Sequence, residues 1–66
     1  MNYDGVLKIY ANEIEQRDMW FDQWSIAEES SDQEKMDIAS KWFNRHRIIV
    51  DALSDYIKLN FGKERK

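Results

Sequence analysis

No proline interrupts this chain of 66 residues, and its two glycines, Gly5 and Gly62, lie near its ends. Proline and glycine are the residues that most often end a helix, and the stretch between the glycines is rich in good helix formers. Hydrophobic residues make up 42% of the sequence, which is enough to drive the chain to collapse. The predicted fold class is therefore all-α, with long helices broken only where the chain turns back.

The second half of the chain carries the clearer helical pattern. Ser31-Asp32-Gln33-Glu34 has the spacing of a capping box, in which the Ser31 hydroxyl accepts from the Glu34 amide and the Glu34 carboxylate accepts from the Ser31 amide. Seam residues then recur at steps of three and four, along one side of a helix: Met36, Ala39, Phe43, His46, Val50, Leu53, Ile57 and Asn60. This pattern predicts a helix over about 32–61, with Gly62 as its stop and a basic tail over 62–66.

The first half repeats this spacing less regularly, with the seam residues Tyr3, Leu7, Tyr10, Ile14, Arg17, Phe21 and Trp24. They predict a helix over about 3–27, capped by Asn2 or Asp4, and a turn over about 28–31. A connection this short makes the two helices antiparallel neighbours. The whole chain, 1–66, is predicted to be a single helical-hairpin domain.

Pairing the two seams across the turn predicts which residues face each other. Near the turn, Phe21 and Trp24 fall against Met36 and Ala39. Further along, Ile14 and Arg17 fall opposite Phe43 and His46. His46 lies in the seam as well, and Glu13 is the nearest carboxylate on the other helix. A partly buried histidine that contacts this carboxylate is expected, with a proton switch as the alternative.

A second set of apolar residues flanks the seam: Val6, Ile9, Trp20, Ile38, Trp42, Ile49 and Tyr56. One neighbouring helix cannot cover both sets, and full burial of a large apolar side chain stabilises by roughly 1.5–3 kcal/mol. We therefore expect a homodimer in which two hairpins form a four-helix bundle. Together with Trp24, these residues are the predicted interface with a second copy or another partner.

Aromatic residues gather at the turn end of the predicted hairpin: Trp20, Phe21, Trp24, Trp42 and Phe43. Tryptophan side chains contribute heavily to the energy of protein interfaces, and they also pack between helices. The sequence leaves both interpretations open. The cluster is either part of the dimer core or a surface for a different protein.

Catalysis, cofactor binding and metal binding are not expected. The chain has no cysteine and one histidine, and no glutamate lies three residues before His46, as the di-metal sites of helix bundles require. The predicted fold brings no nucleophile together with a base. We expect a protein that is not an enzyme.

The 10 basic and 13 acidic residues give a net charge of −3, which disfavours a non-specific hold on nucleic acid or anionic membranes. Basic residues concentrate in the second half, where Arg45, His46 and Arg47 form a candidate anion contact. Neutralisation by the acidic first helix is the competing interpretation. The chain shows no long apolar run and no signal-peptide pattern, so a cytoplasmic location is expected.

The turn sequence Asp32-Gln33-Glu34, the following Asp37-Ile38 and the late Phe61-Gly62 are similar to elements of the Rop family. That resemblance implies a hairpin that dimerises into a four-helix bundle and binds RNA. In this chain the second helix is longer, and the first helix has no matching motif. Small acidic chains of this kind also resemble accessory proteins of phages and plasmids, which often bind a host protein.

The leading predicted function is a non-enzymatic interaction protein that binds a larger, unidentified macromolecule and regulates it, with inhibition as the simplest mode. The alternative is a Rop-like binder of nucleic acid or nucleotides that uses the basic face around Arg45 and Arg47.

Overall fold

The computed structural model describes residues 2–62, and within that stretch the chain forms two helices packed against each other. Helix α1 spans Tyr3–Glu29 and helix α2 spans Gln33–Asn60. The predicted all-α hairpin is confirmed. Each helix boundary at the turn lies one or two residues later than expected, and the predicted basic tail over 62–66 lies outside the described residues beyond Gly62.

The turn between the helices is three residues long and caps both of them. Ser31 takes a left-handed backbone conformation with a φ of 56°. Its amide donates to the Glu28 carbonyl at 3.1 Å, and the Asp32 amide donates to the Ala27 carbonyl at 2.9 Å. These two bonds form the Schellman motif, which satisfies carbonyls at the end of a helix. Asp32 then caps α2, because its carboxylate accepts from the Lys35 amide at 3.2 Å.

The capping box predicted at Ser31 is therefore wrong by one residue. In so short a turn, Ser31 is needed to close α1, and the capping of α2 passes to Asp32. At the other end of the hairpin the prediction is confirmed for Asn2, whose side-chain oxygen accepts from the Gly5 amide at 2.7 Å. Asp4 lies in the first turn of α1, where the helix dipole favours a negative charge.

Ser31→Gly is expected to stabilise the protein. A left-handed conformation costs a residue with a side chain about 1–2 kcal/mol, and glycine adopts it freely but loses more entropy on folding. We expect the free energy of unfolding, measured by urea denaturation, to rise by about 0.5–1 kcal/mol. The control is Ser30→Gly, at a φ of −92°, which loses hydroxyl bonds to two carbonyls and is expected to lower stability. A lower stability for Ser31→Gly would contradict this account of the turn.

The interior of the hairpin is small. Among residues 2–62 the buried side chains are Val6, Ala27, Ala39 and Val50. Val6, which was predicted to lie in the flanking stripe, is only 1% exposed and packs between the helices. This is a correction to the predicted interface, since a side chain so covered cannot contact a partner.

Contacts between aromatic rings fix how the two helices are aligned. Three pairs bridge α1 and α2 with centroids 4.8–6.2 Å apart: Tyr3 with Phe61, Phe21 with Phe43, and Trp20 with Trp42. Phe21 thus lies against Phe43 rather than against the predicted Met36 and Ala39. Because the turn is centred on Ser31, later than predicted, residues of α1 face positions further along α2.

Candidate functional site

One side of the hairpin carries six of the residues predicted for the interface, and we call it face A: Ile9, Trp20, Ile38, Trp42, Ile49 and Tyr56. On α2 its members are four or seven residues apart, and on α1 they are eleven apart, so each set follows one line along its helix. Trp20 stacks on Trp42 with a centroid distance of 6.2 Å, which joins the two lines across the hairpin. Trp20 and Ile38 also line a shallow cleft near the turn.

Face A is apolar and incompletely covered. Ile9, Ile38 and Tyr56 are 41%, 49% and 41% exposed, and the other three members are half-buried. The hairpin is 48 Å long and 19 Å wide. One broad side of such a body covers about 900 Å², while a standard protein interface takes about 800 Å² from each partner. The broad side on which face A lies is therefore comparable in size to one half of a standard interface.

Trp42 lies at the centre of face A beside two cations. The guanidinium carbon of Arg45 is 5.5 Å from the ring centroid, and Nζ of Lys41 is 5.8 Å from it. Such cation–π contacts hold long basic side chains against an aromatic surface. Lys35 borders the cleft near the turn, where its Nζ lies 3.9 Å from the Asp32 carboxylate. The α2 margin of face A is therefore cationic around Trp42.

A second aromatic surface, which we call face B, lies on the other side of the hairpin near the turn, around a cleft lined by Phe21, Trp24, Ser40, Phe43 and Asn44. Phe21 and Phe43 follow Trp20 and Trp42 by one residue, and a rotation of about 100° per residue carries them to the other side. Trp24 was predicted to share the interface with face A. The structure places it on face B instead, with its ring centroid 6.3 Å from that of Phe21.

The candidate anion contact at Arg45, His46 and Arg47 is divided among three separate partners. Arg45 lies over Trp42, as described above. His46 Nδ1 is 2.5 Å from Glu13 Oε1 on the other helix, and both side chains are half-buried, so the predicted His46–Glu13 contact is confirmed. Arg47 pairs with Asp51, with 3.6 Å between Nη1 and Oδ2. The structure does not bring these three side chains together at one site.

Across residues 2–62, no group of three or more histidine, aspartate and glutamate side chains could hold a metal ion. Neither α1 nor α2 contains a stretch apolar enough to cross a membrane. Within the same residues, every buried side-chain nitrogen or oxygen has a hydrogen-bond partner. The aromatic faces are thus the features of this region that call for a functional explanation.

Face B was not predicted as a separate surface, because Phe21 and Phe43 were assigned to the seam. The signal that could have found it is the pair of adjacent aromatic dipeptides, Trp20-Phe21 and Trp42-Phe43. Two neighbouring residues of a helix cannot share one face. Each dipeptide therefore supplies one ring to each side of the hairpin.

Comparisons with known proteins identify no relative: no family model matches the chain, and no curated protein or solved structure matches it significantly. The resemblance to the Rop family therefore depends only on the short elements quoted above. Function has to be argued from the two faces themselves.

Proposed function

We propose that this chain is a non-enzymatic interaction protein. Two copies pair through face A into a four-helix bundle, and the dimer binds a larger macromolecule and regulates it by covering a surface that the macromolecule needs. The observation that supports pairing is the contrast between the interior and face A. Two valines and two alanines are the buried side chains among residues 2–62, whereas large apolar residues of face A remain in contact with water.

The distribution of charge favours one arrangement of the two copies. Residues 1–30 contain seven acidic and two basic side chains, whereas the α2 margin of face A carries Lys35, Lys41 and Arg45. In a two-fold bundle, α2 can lie beside either α1 or α2 of the other copy. The first arrangement brings the cationic margin towards the acidic helix, and the second brings two cationic margins together. Like charges across an interface are unfavourable, so we place α2 beside the partner's α1.

The macromolecule that we propose as the partner is a protein rather than a nucleic acid. Arg45, His46 and Arg47 each contact a group within the hairpin, and the whole chain carries a net charge of −3. Phosphate binding depends mainly on clustered, available cations. Exposed aromatic side chains such as Phe21 are instead typical anchors of protein interfaces.

The pairing is tested by gel filtration with light scattering over a range of protein concentrations. We expect a species of about 16 kDa, twice the chain mass of 8.0 kDa, together with a helical circular dichroism spectrum. A well-folded particle of one chain at every concentration would refute the dimer.

A further inference from the structure

The cleft of face B has the size and lining of a site for a single apolar side chain. The three rings of Phe21, Trp24 and Phe43 form its walls, and Ser40 and Asn44 add polar groups at its edge. Its volume is about 250 Å³, below the range of about 300–1,000 Å³ that small-molecule sites occupy. Phe21 is 51% exposed, so the aromatic surface is open to a partner.

Carboxylates surround this cleft on the α1 side. Asp18 and Glu28 share a line with Phe21 at helical steps of three and seven residues. Both carboxylates are exposed. Asp18 is partly neutralised by Arg17, with 3.1 Å between the paired atoms.

The α2 side of the cleft adds a further carboxylate. Asp37 lies one turn before Ser40, and its oxygen accepts from the uncharged amide of Gln33 at 2.8 Å, which leaves its negative charge intact. Among residues 2–62, no salt bridge engages Glu28 or Asp37. The nearest cation along this side of α2 is Arg47, and it is paired with Asp51. The rim of face B is therefore negative.

From this combination we infer that face B binds a cationic amphipathic helix of a partner protein, which inserts one large apolar side chain between the three rings. The inference rests on the proposed function, because it names the chemistry of the regulated partner and the surface that contacts it. A groove between two helices accepts a third helix by ridge-and-groove packing, and lysine or arginine residues of that helix would face the carboxylates.

The opposite charge of face A adds selectivity. Lys35, Lys41 and Arg45 border face A, so a cationic helix is repelled there and attracted to face B. Pairing of two copies through face A leaves face B free, since Phe21 and Trp20 emerge on different sides of α1. One dimer would then carry two equivalent sites for the partner helix.

The test uses a fluorescein-labelled amphipathic peptide of leucine and lysine with one tryptophan, and a matched peptide with glutamate in place of every lysine. Binding to the full chain is measured by fluorescence anisotropy at low and high salt. We expect the cationic peptide to bind at least about tenfold more tightly than the anionic one, with an affinity that falls as salt rises. Equal binding of both peptides would overturn the inference.

Variants locate the site. Phe21→Ala is expected to weaken binding of the cationic peptide about tenfold, and so is the triple variant Asp18→Asn/Glu28→Gln/Asp37→Asn, which also flattens the salt dependence. The control removes the same charges by the same chemistry away from the cleft: Asp4→Asn/Glu15→Gln/Asp55→Asn. It should change the affinity less than about twofold. An equal loss in both triple variants would mean that only net charge matters, and face B would be excluded.

Light scattering on the same samples separates this inference from the proposed pairing. A dimer that binds neither peptide would overturn the inference and leave the pairing intact. A monomeric wild type that shows the expected peptide and variant pattern would refute the pairing and keep face B as the partner site. If Phe21→Ala fails to fold, the two surface triple variants still decide. Tight binding of a labelled RNA that competes with the peptide would overturn the assignment to a protein partner.

Discussion

A single substitution at the centre of face A, Trp42→Glu, is expected to convert the dimer into a monomer. The substitution removes the stacking between Trp42 and Trp20, and the new carboxylate would have to be buried in the assembled bundle. In a two-fold interface the change occurs twice, once from each copy. We expect self-association to weaken about 100-fold or more, which corresponds to about 2.8 kcal/mol or more at 1.4 kcal/mol for each factor of ten.

The change from dimer to monomer should be accompanied by a loss of helix, because the hairpin alone has so small an interior. Gel filtration with light scattering gives the mass, and circular dichroism on the same samples gives the helix content. At high protein concentration both should return towards the wild-type values, since mass action favours the assembled form. A Trp42→Glu variant that stays dimeric at low concentration would exclude face A as the pairing surface.

Ile48→Glu is the matched control for this experiment. Ile48 is a large apolar residue of the same helix, is 59% exposed and lies off the line that joins Trp42, Ile49 and Tyr56. Its replacement should leave the mass and the helix content close to those of the wild type. If both variants dissociate, the interface extends to the outer side of α2.

The course of the chain could be predicted because it depends on a few strong local signals. The lack of internal proline and glycine predicted two long helices, and of the two candidate caps, Asn2 and Asp4, the structure confirms Asn2. The turn was placed less well. The Ser-x-x-Glu spacing at Ser31 fits a capping box, but three residues must end one helix as well as begin the next. That competition between two caps is not visible in a local pattern.

The seam of α1 was predicted along the wrong line, because the apolar pattern and the contacts with α2 do not coincide. The line that faces α2 runs through Val6, Tyr10, Glu13, Arg17 and Ala27, and between Arg17 and Ala27 it passes Trp20 at its edge towards face A and Trp24 at its edge towards face B, in steps of four and three. Two of its members are charged and one is an alanine, so a search for apolar periodicity scores it poorly. The line that begins at Tyr3 and Leu7 contains more large apolar residues, and it was therefore predicted to be the seam. Glu13 is acceptable in the seam because it contacts His46 across the hairpin.

This shift accounts for the errors in the predicted site as well. A line displaced by one residue moves Val6 from the flank into the interior and assigns Phe21 to the seam, although it is half exposed. The pattern on α2 was more regular, and its members Ile38, Trp42, Ile49 and Tyr56 keep the places predicted for them on one face. Sequence periodicity thus located face A, whereas face B required the ring contacts of Phe21.

The largest loss of stability is expected from Val50→Asp. Val50 is 4% exposed and sits near the middle of the hairpin, and it is one of the buried side chains among residues 2–62. Burying a carboxylate there without a cationic partner is expected to cost about 3–5 kcal/mol. A domain of this size is stable by only about 3–10 kcal/mol, at 0.05–0.15 kcal/mol per residue. Most of the protein should therefore be unfolded at micromolar concentration.

Urea denaturation followed by circular dichroism measures this effect, with Ile48→Asp as the control. The control places the same carboxylate two residues away on an exposed side of α2, and it should change the free energy of unfolding by less than about 1 kcal/mol. A Val50→Asp variant with wild-type stability would mean that α1 and α2 do not pack through this side chain. If Ile48→Asp instead unfolds the protein, the outer side of α2 is covered in the assembly. The surface that joins two copies would then have to be moved from face A to the line of Ile48 and Leu59, which are 59% and 71% exposed in the single hairpin.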